Sequence, residues 1–258
     1  MVVQLVTTGL PRGAAHIRLV RMVRTATLGQ YAWPQVTPAE LTLLVPIGSV
    51  EQHGPHLPLD TDTRIAVAVA TAVRSELPAG APVAVAPEIA YGASGEHEGF
   101  AGTISLGQQA LADLLVEYGR SACRWARRIA FVNGHGGNVP TLAASVAKLR
   151  YEARDVAWYP CMFADSDAHA GHTETSVLLY LSPELVRTDR IEAGNREPIG
   201  ALMAPMRTGG VAAVSENGIL GDPRTATAEH GAQLLARVVD DLTRALGEWT
   251  VDDKGRLR

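Results

Sequence analysis

The sequence predicts an α/β domain of three layers: a mostly parallel central sheet with helices on both faces. Three observations carry this. Short apolar runs alternate with longer stretches of helical periodicity. Their spacing leaves room for a crossover helix between consecutive strands. Polar, ligand-type side chains crowd the segments after three of the runs, at residues 43–47, 129–132 and 156–161. In α/β sheets, ligands bind beyond the carboxyl ends of the strands.

Taken in order, residues 1–35 carry Arg12, Arg18, Arg21 and Arg24, with no acidic residue before Glu40. Residues 1–30 read as a disordered or extended arm, 31–250 as one domain and 251–258 as a tail. Residues 43–47 form the first strand, and Gly48 breaks it. Glu51, His53, His56, Asp60 and Asp62 follow in a loop held by Gly54, Pro55 and Pro58. A helix is expected over about 62–77, with Thr61 or Thr63 as its cap and Ile65, Val69 and Val73 on one face. Residues 83–89 read as a second strand. The glycine-rich loop that follows, 91–103, holds Ser94, Glu96 and His97.

Leu111, Leu114, Leu115 and Tyr118 keep helical spacing within 105–127. The third strand, 129–132, runs into Asn133-Gly-His-Gly-Gly-Asn138, a turn whose glycines permit close backbone approach to a ligand. A helix over 139–151 and a strand over 156–161 come next. His169, His172 and Glu174 then lead into a helix through Val177, Leu178 and Leu181. Residues 207–222 are glycine-rich and read as a loop or hairpin. The last helix starts at Thr225 or Thr227 and aligns Leu235, Val238, Leu242 and Leu246; His230 reads there as structural or solvated.

Bulk properties narrow the function. The chain has 258 residues, 47% of them hydrophobic, which suits one large domain. A net charge of −4 removes the electrostatic case for nucleic acid or an anionic membrane. Cys123 and Cys161 form no spaced framework and read as free thiols. With no evident signal peptide and no apolar run of about 18 residues, a cytoplasmic protein is expected.

The chemistry points to a metal. Divalent ions take imidazole nitrogen and carboxylate oxygen. Glu51 and His53 are two apart, so an extended segment directs both to one side. Asp62 arrives from a helix start and has two oxygens, enough to bridge a metal pair. Each such residue alone reads as surface; five within the twelve positions 51–62, straight after a buried strand, do not. For Glu174, capping competes with ligation, because the helix dipole also favours a carboxylate there. Neither Ser49, Ser94 nor Ser176 has a G-x-S-x-G setting for a serine nucleophile, and no G-x-G-x-x-G opens a helix.

The segment Gly48-Ser-Val-Glu-Gln-His-Gly-Pro-His-Leu-Pro-Leu-Asp-Thr-Asp62 resembles the creatininase family of metal-dependent amidohydrolases. So do Asn133–Asn138 and His169-Ala-Gly-His-Thr-Glu-Thr-Ser176, in the family's order. The likeness covers roughly residues 35–248, and residues 91–98 and 169–179 bring it nearest to the mycofactocin-system branch. It implies two divalent ions (Zn, Fe, Mn or Co) on Glu51, His53, Asp62 as bridge, and His135. Creatininase itself has a Glu two residues after the turn's His, where this chain has Gly137; Glu174 is the expected replacement and, with His169 as proton-transfer group, part of the catalytic pair. Ser94, Glu96, His97 and His172 are expected beside the substrate.

The resemblance further implies a homo-oligomer. The implied substrate is a small modified precursor peptide, from whose C-terminus a Val-Tyr-derived dipeptide is released. The aromatic residues that hold creatinine lack counterparts, which argues against creatinine. Two other readings stay open: a cyclic-amide or formamide hydrolase on this scaffold, and a metal-free binding or assembly protein.

Overall fold

The computed structural model describes residues 27–163 and 166–258. Four parallel strands make one sheet in the order β2-β1-β3-β4. They are β1 Thr42–Ile47, β2 Val83–Val85, β3 Arg128–Asn133 and β4 Val156–Pro160. The helices are α1 Thr61–Glu76, α2 Gly107–Ala122, α3 Val139–Tyr151, α4 His172–Leu181, α5 Ile199–Gly209 and α6 Ala228–Glu248.

Strand alternation sorts the layers. Leu43, Val45, Ile47, Ile129, Phe131 and Trp158 face one side, against Leu111 and Leu115 of α2 and Leu142, Val146 and Leu149 of α3. Leu44, Ala130, Val132, Ala157 and Tyr159 face the other, against α1, α4 and α6. Both faces being covered, the strands read as continuous apolar runs. The expected three-layer fold is the observed one.

Several expected boundaries are corrected. β2 ends at Val85, and Ile89 rejoins β1 by a single bridge to Ile47; Pro87, lacking an N–H, lies between. The cap position of α1 is Asp60, not Thr61 or Thr63, and its carboxylate is spent on Arg64 Nε at 2.7 Å. Helix α2 is shorter than 105–127, and Leu114 lies on its exposed side. Helix α5 was not expected: Pro205 interrupts its pattern, and Leu202 is its one buried residue. Thr227 caps α6 as read, accepting from the His230 N–H at 3.2 Å.

Residues 251–258 are not a loose tail. The Trp158 N–H donates to Gly255 O at 3.0 Å, the Leu257 N–H donates to Trp158 O at 2.8 Å, and Leu257 is buried. Of the expected N-terminal arm, residues 1–26 lie outside the described residues; Leu28–Gln30 form a single 3-10 turn. Among the described residues no helix is long and apolar enough to cross a membrane. Both cysteines are free.

Candidate metal centre

Register brings the strand ends together. Ile47 pairs with Asn133, and Asn133 with Pro160. The loops after β1, β3 and β4 therefore rise from one edge of the sheet. The Glu51 N–H donates to Leu59 O at 3.0 Å and closes the first loop. Asp62 sits in the first turn of α1, where the helix dipole favours its charge. A Cβ on Gly134 would lie 2.2 Å from the Asp62 carbonyl oxygen, so glycine is what lets the β3 turn close on α1.

Two asparagines hold that turn. Asn133 Nδ2 donates to His135 O at 2.6 Å. Asn138 Nδ2 donates to Gly48 O at 3.0 Å, and its Oδ1 accepts the Ala93 N–H at 2.8 Å, tying three site loops together. The sequence reading passed over both; their place at the two ends of the glycine-rich turn was the available signal.

The expected ligands converge. Ligand atoms of Glu51, His53 and Asp62 lie within 4.8 Å of one another; so do those of His53, His169 and Glu174, and those of Glu51, His97 and His169. His53 Nε2 is 3.1 Å from Asp62 Oδ1 and 3.9 Å from Glu174 Oε2. His135 Nδ1 is 3.2 Å from both Glu51 Oε2 and Asp62 Oδ2. All are buried except the Glu174 side chain, which is 20% exposed.

Donor chemistry tests whether a cation fits. Glu51 is 0% exposed, yet neither carboxylate oxygen accepts a hydrogen bond, and Asp62 Oδ2 accepts none. Bare buried carboxylate oxygens are costly unless a charge compensates them. The imidazoles meanwhile anchor their outer nitrogens on backbone carbonyls: His53 Nδ1 on Glu51 O at 3.1 Å, His135 Nε2 on Ala93 O at 3.2 Å, His169 Nε2 on Gln52 O at 2.8 Å. Such anchoring sets the tautomer and turns the other nitrogen inward, as second-sphere partners of metal ligands do. The residues fit a divalent metal.

Electrostatics agree. Burial alone would lower the His53 imidazole, but Asp62 beside it lifts it to about 10. His135 is likewise held well above its ordinary value, burial being outweighed by Glu51 and Asp62. Asp62, despite burial, is held far below the carboxylate range by His53 and His135. Burial pushes Glu174 up to about 7. His169 is pushed well below its ordinary value by burial and by His53 and His97. Without a metal, protons on His53 and His135 compensate the carboxylates; a divalent cation does so more compactly.

The remaining expected residues divide. Glu96 Oε1 is 3.5 Å from His135 Nε2. A Cβ on Gly137 would lie 2.3 Å from His135 Nε2 and 2.5 Å from Glu96 Oε1, so Glu96 occupies the space of any side chain there. His97 borders Glu51 at 3.3 Å. Ser94 is fully buried, its hydroxyl accepting from Ser49 Oγ at 2.8 Å. His172 does not join the cluster: it contacts His230 Nδ1 at 2.8 Å and Thr225 Oγ1 at 3.0 Å. His230, read as structural or solvated, is thus its partner. His56, noted for its place in the loop, turns to Thr175 Oγ1 at 2.8 Å, and burial pushes it down to about 4.

Residues 29–246 match the family model described as creatininase, creatinine amidohydrolase. The chain belongs to the creatininase family. A relative from Mycolicibacterium smegmatis named mycofactocin precursor peptide peptidase is 61% identical over 217 residues, covering 83% of this chain and 88% of the relative. One of the same name from Mycobacterium tuberculosis is 57% identical, covering 89% and 94%. Among solved structures, a mutant creatininase superposes with a TM-score of 0.73 at 25% identity, covering 86% of this chain and 98% of that one. Family membership and the named peptidases establish the chain as a hydrolase.

Proposed function

We propose that this protein is a metal-dependent peptidase that hydrolyses an amide bond of the mycofactocin precursor peptide, the substrate named for its 61% and 57% identical relatives. The observation that carries the hydrolytic reading is the Glu51 carboxylate, fully buried, bare of hydrogen bonds and ringed by His97, His135 and His169. Glu51, His53, Asp62, His135 and Glu174 would hold two divalent ions. A solved relative at 25% identity described as creatininase Mn supports a divalent ion of this kind. When bound, such a pair supplies an acidified water and polarises the carbonyl to be attacked.

This chain's own residues do the rest. His169, tethered through Nε2 to Gln52 O, presents Nδ1 to the centre, 3.9 Å from Glu51 Oε1. Burial keeps it neutral and a weak base, so a proton taken up at Nδ1 is readily given to the departing amine nitrogen. Glu174 Oε2 accepts the Ala170 N–H at 2.6 Å, a cap-like bond that holds the carboxylate 3.9 Å from His53 Nε2, where ligation is its proposed role.

Space for a peptide lies on both sides of the glycine turn. A cavity of about 160 Å³ borders His135 and Glu174, and shares Ser166, Asp167, Ala168 and Thr173 with one of about 790 Å³ that reaches His172. Another, about 680 Å³, is lined by Glu96, Gly137 and Arg207. Substrate contacts by Glu96, His97 and His172 belong to this proposal; Ser94, being fully buried, would act by shaping the loop.

Incubating metal-loaded protein with the modified precursor peptide and weighing the products by mass spectrometry tests this. Two fragments, lost with chelator and restored by metal, are expected. An intact peptide under every metal would sink the substrate assignment, and turnover of a cyclic amide instead would favour the small-amide reading. A homo-oligomer in the cytoplasm completes the proposal; light scattering at the monomer mass would refute the first part. Exposed Trp33, Tyr151 and Met162 are apolar surface that an assembly would cover.

A further inference from the structure

We infer that Gln52 decides which imidazoles of the centre can meet a metal, and that it keeps His97 out of that set. The inference rests on the metal reading of the site and is independent of the substrate.

Gln52, between the expected ligands Glu51 and His53 in the sequence, has a buried side chain, and its orientation is unambiguous. Oε1 accepts the Gly54 N–H at 2.9 Å, while Nε2 donates to Gly218 O at 3.0 Å. Flipping the amide would set donor against donor and acceptor against acceptor. The backbone is shaped to this amide: Gly218 has φ +76°, and a Cβ there would lie 2.0 Å from Gln52 Oε1.

One N–H of the amide remains, and His97 Nδ1 lies 2.9 Å from Nε2. An amide nitrogen has no lone pair to offer, so His97 Nδ1 is the acceptor. The proton of the neutral His97 ring therefore sits on Nε2, 3.3 Å from Glu51 Oε1. To ligate through Nε2, the neutral ring would have to carry its proton on Nδ1, where it would face the Gln52 N–H; while that hydrogen bond stands, Nε2 stays protonated and cannot ligate. His169 is set in the opposite sense. Its Nε2 lies 2.8 Å from the Gln52 backbone carbonyl and carries the proton, so Nδ1 is free. The 3.1 Å approach of Gln52 Nε2 to His169 Nε2 is then two donors side by side, not a bond.

Among the described residues, three groupings of His and carboxylate in this centre are close enough to hold an ion. Gln52 removes the one made of Glu51, His97 and His169. Those that remain are built on His53. His97 keeps its Nε2–H turned toward Glu51 Oε1, 3.3 Å away without forming a hydrogen bond, a positioning residue in place of a ligand.

Histidine ring nitrogens of the full-length, metal-free protein, labelled with ¹⁵N, report the tautomers by long-range ¹H–¹⁵N NMR. His97 is expected as the Nε2–H form and His169 as the Nε2–H form. Adding zinc should shift His53 Nε2 and His135 Nδ1 and leave the His97 Nε2–H signal in place. In Gln52→Glu, whose carboxylate accepts where the amide donated, the His97 proton should move to Nδ1, and zinc affinity should change by about 10–100-fold, the range for lost outer-sphere partners. A His97 Nε2 that loses its proton to zinc in the wild type overturns this inference alone; the wild-type measurement needs no folded variant. Zinc that moves no imidazole overturns both the inference and the metal reading.

Discussion

Two histidine clusters sit at this edge of the sheet, and they differ in kind. In one, His53, His135 and His169 each fix their outer nitrogen on a backbone carbonyl and turn the other toward carboxylates of which both Glu51 oxygens and Asp62 Oδ2 accept no hydrogen bond. In the other, His172 bonds to His230 and to Thr225, near the surface, with the two imidazole centroids 4.9 Å apart. Both contain ligand-type residues in the same loop region. What separates them is whether the imidazole is aimed by a backbone partner and whether an uncompensated carboxylate waits opposite it. Density of His and acid residues nominates a site; anchoring and unmet charge select one.

The largest effect that would sharpen this contrast is expected from Asp62→Ala, which removes the carboxylate shared by His53 and His135. Metal content measured by mass spectrometry should fall to near zero and peptide hydrolysis to background. Retention of full metal would show that the cluster is held together by something else. Glu174→Gln should cost one ion and leave the other, read as metal per chain, because Glu51, His53 and Asp62 group together without Glu174, whose carboxylate lies 3.9 Å from His53.

Smaller is Asn138→Ala. It cuts the ties from the glycine turn to Gly48 and Ala93, and should weaken metal affinity by about 10–100-fold in a competition titration with the fold intact. Unchanged affinity would mean that the loops need no staple.

Protonation separates the clusters as well. His53, lifted to about 10, and His135, lifted above its ordinary value, hold protons at neutral pH that a metal must displace. Metal uptake at pH 7 in weak buffer should therefore release protons, and apparent affinity should rise with pH. In the metal-free protein the raised His53 adds stability that is complete below about pH 6.5, the unfolded-state value, and fades as pH rises through about 10. Calorimetry that finds metal-free stability constant across that window would remove the proton-compensated cluster. The smallest effect is expected for His230→Ala: metal content unchanged and stability within about 0.5 kcal/mol, as for other near-surface substitutions. Loss of metal there would erase the distinction between the two clusters.

Much of this was legible in residue order. The apolar runs at 43–47, 129–132 and 156–161 declared buried parallel strands, because a strand covered on both faces has no polar side to show. Helix α3 matched its expected span, residues 139–151. The reading fell short where local pattern was weak or tertiary contact decided: α5, with its internal Pro205, and residues 251–258, which pair with themselves and lie along β4. Asp60 and His56 carry ligand-type groups but are not among the expected ligands, and they turn to Arg64 and Thr175.

The amino-acid order alone therefore pointed to the layered α/β fold, because strand burial is a local property of a segment; ligand chemistry together with the family resemblance nominated Glu51, His53, Asp62, His135 and Glu174. Three matters waited for the folded chain. These are the orientation of each imidazole, the occupation by Glu96 of the space beside Gly137, and the Gln52 amide between His97 and Gly218. Except for His53, anchored on a carbonyl two residues away, each depends on a hydrogen bond or a close approach between residues some 40 to 170 positions apart in the chain, and no periodicity or spacing records which nitrogen of a ring faces which oxygen.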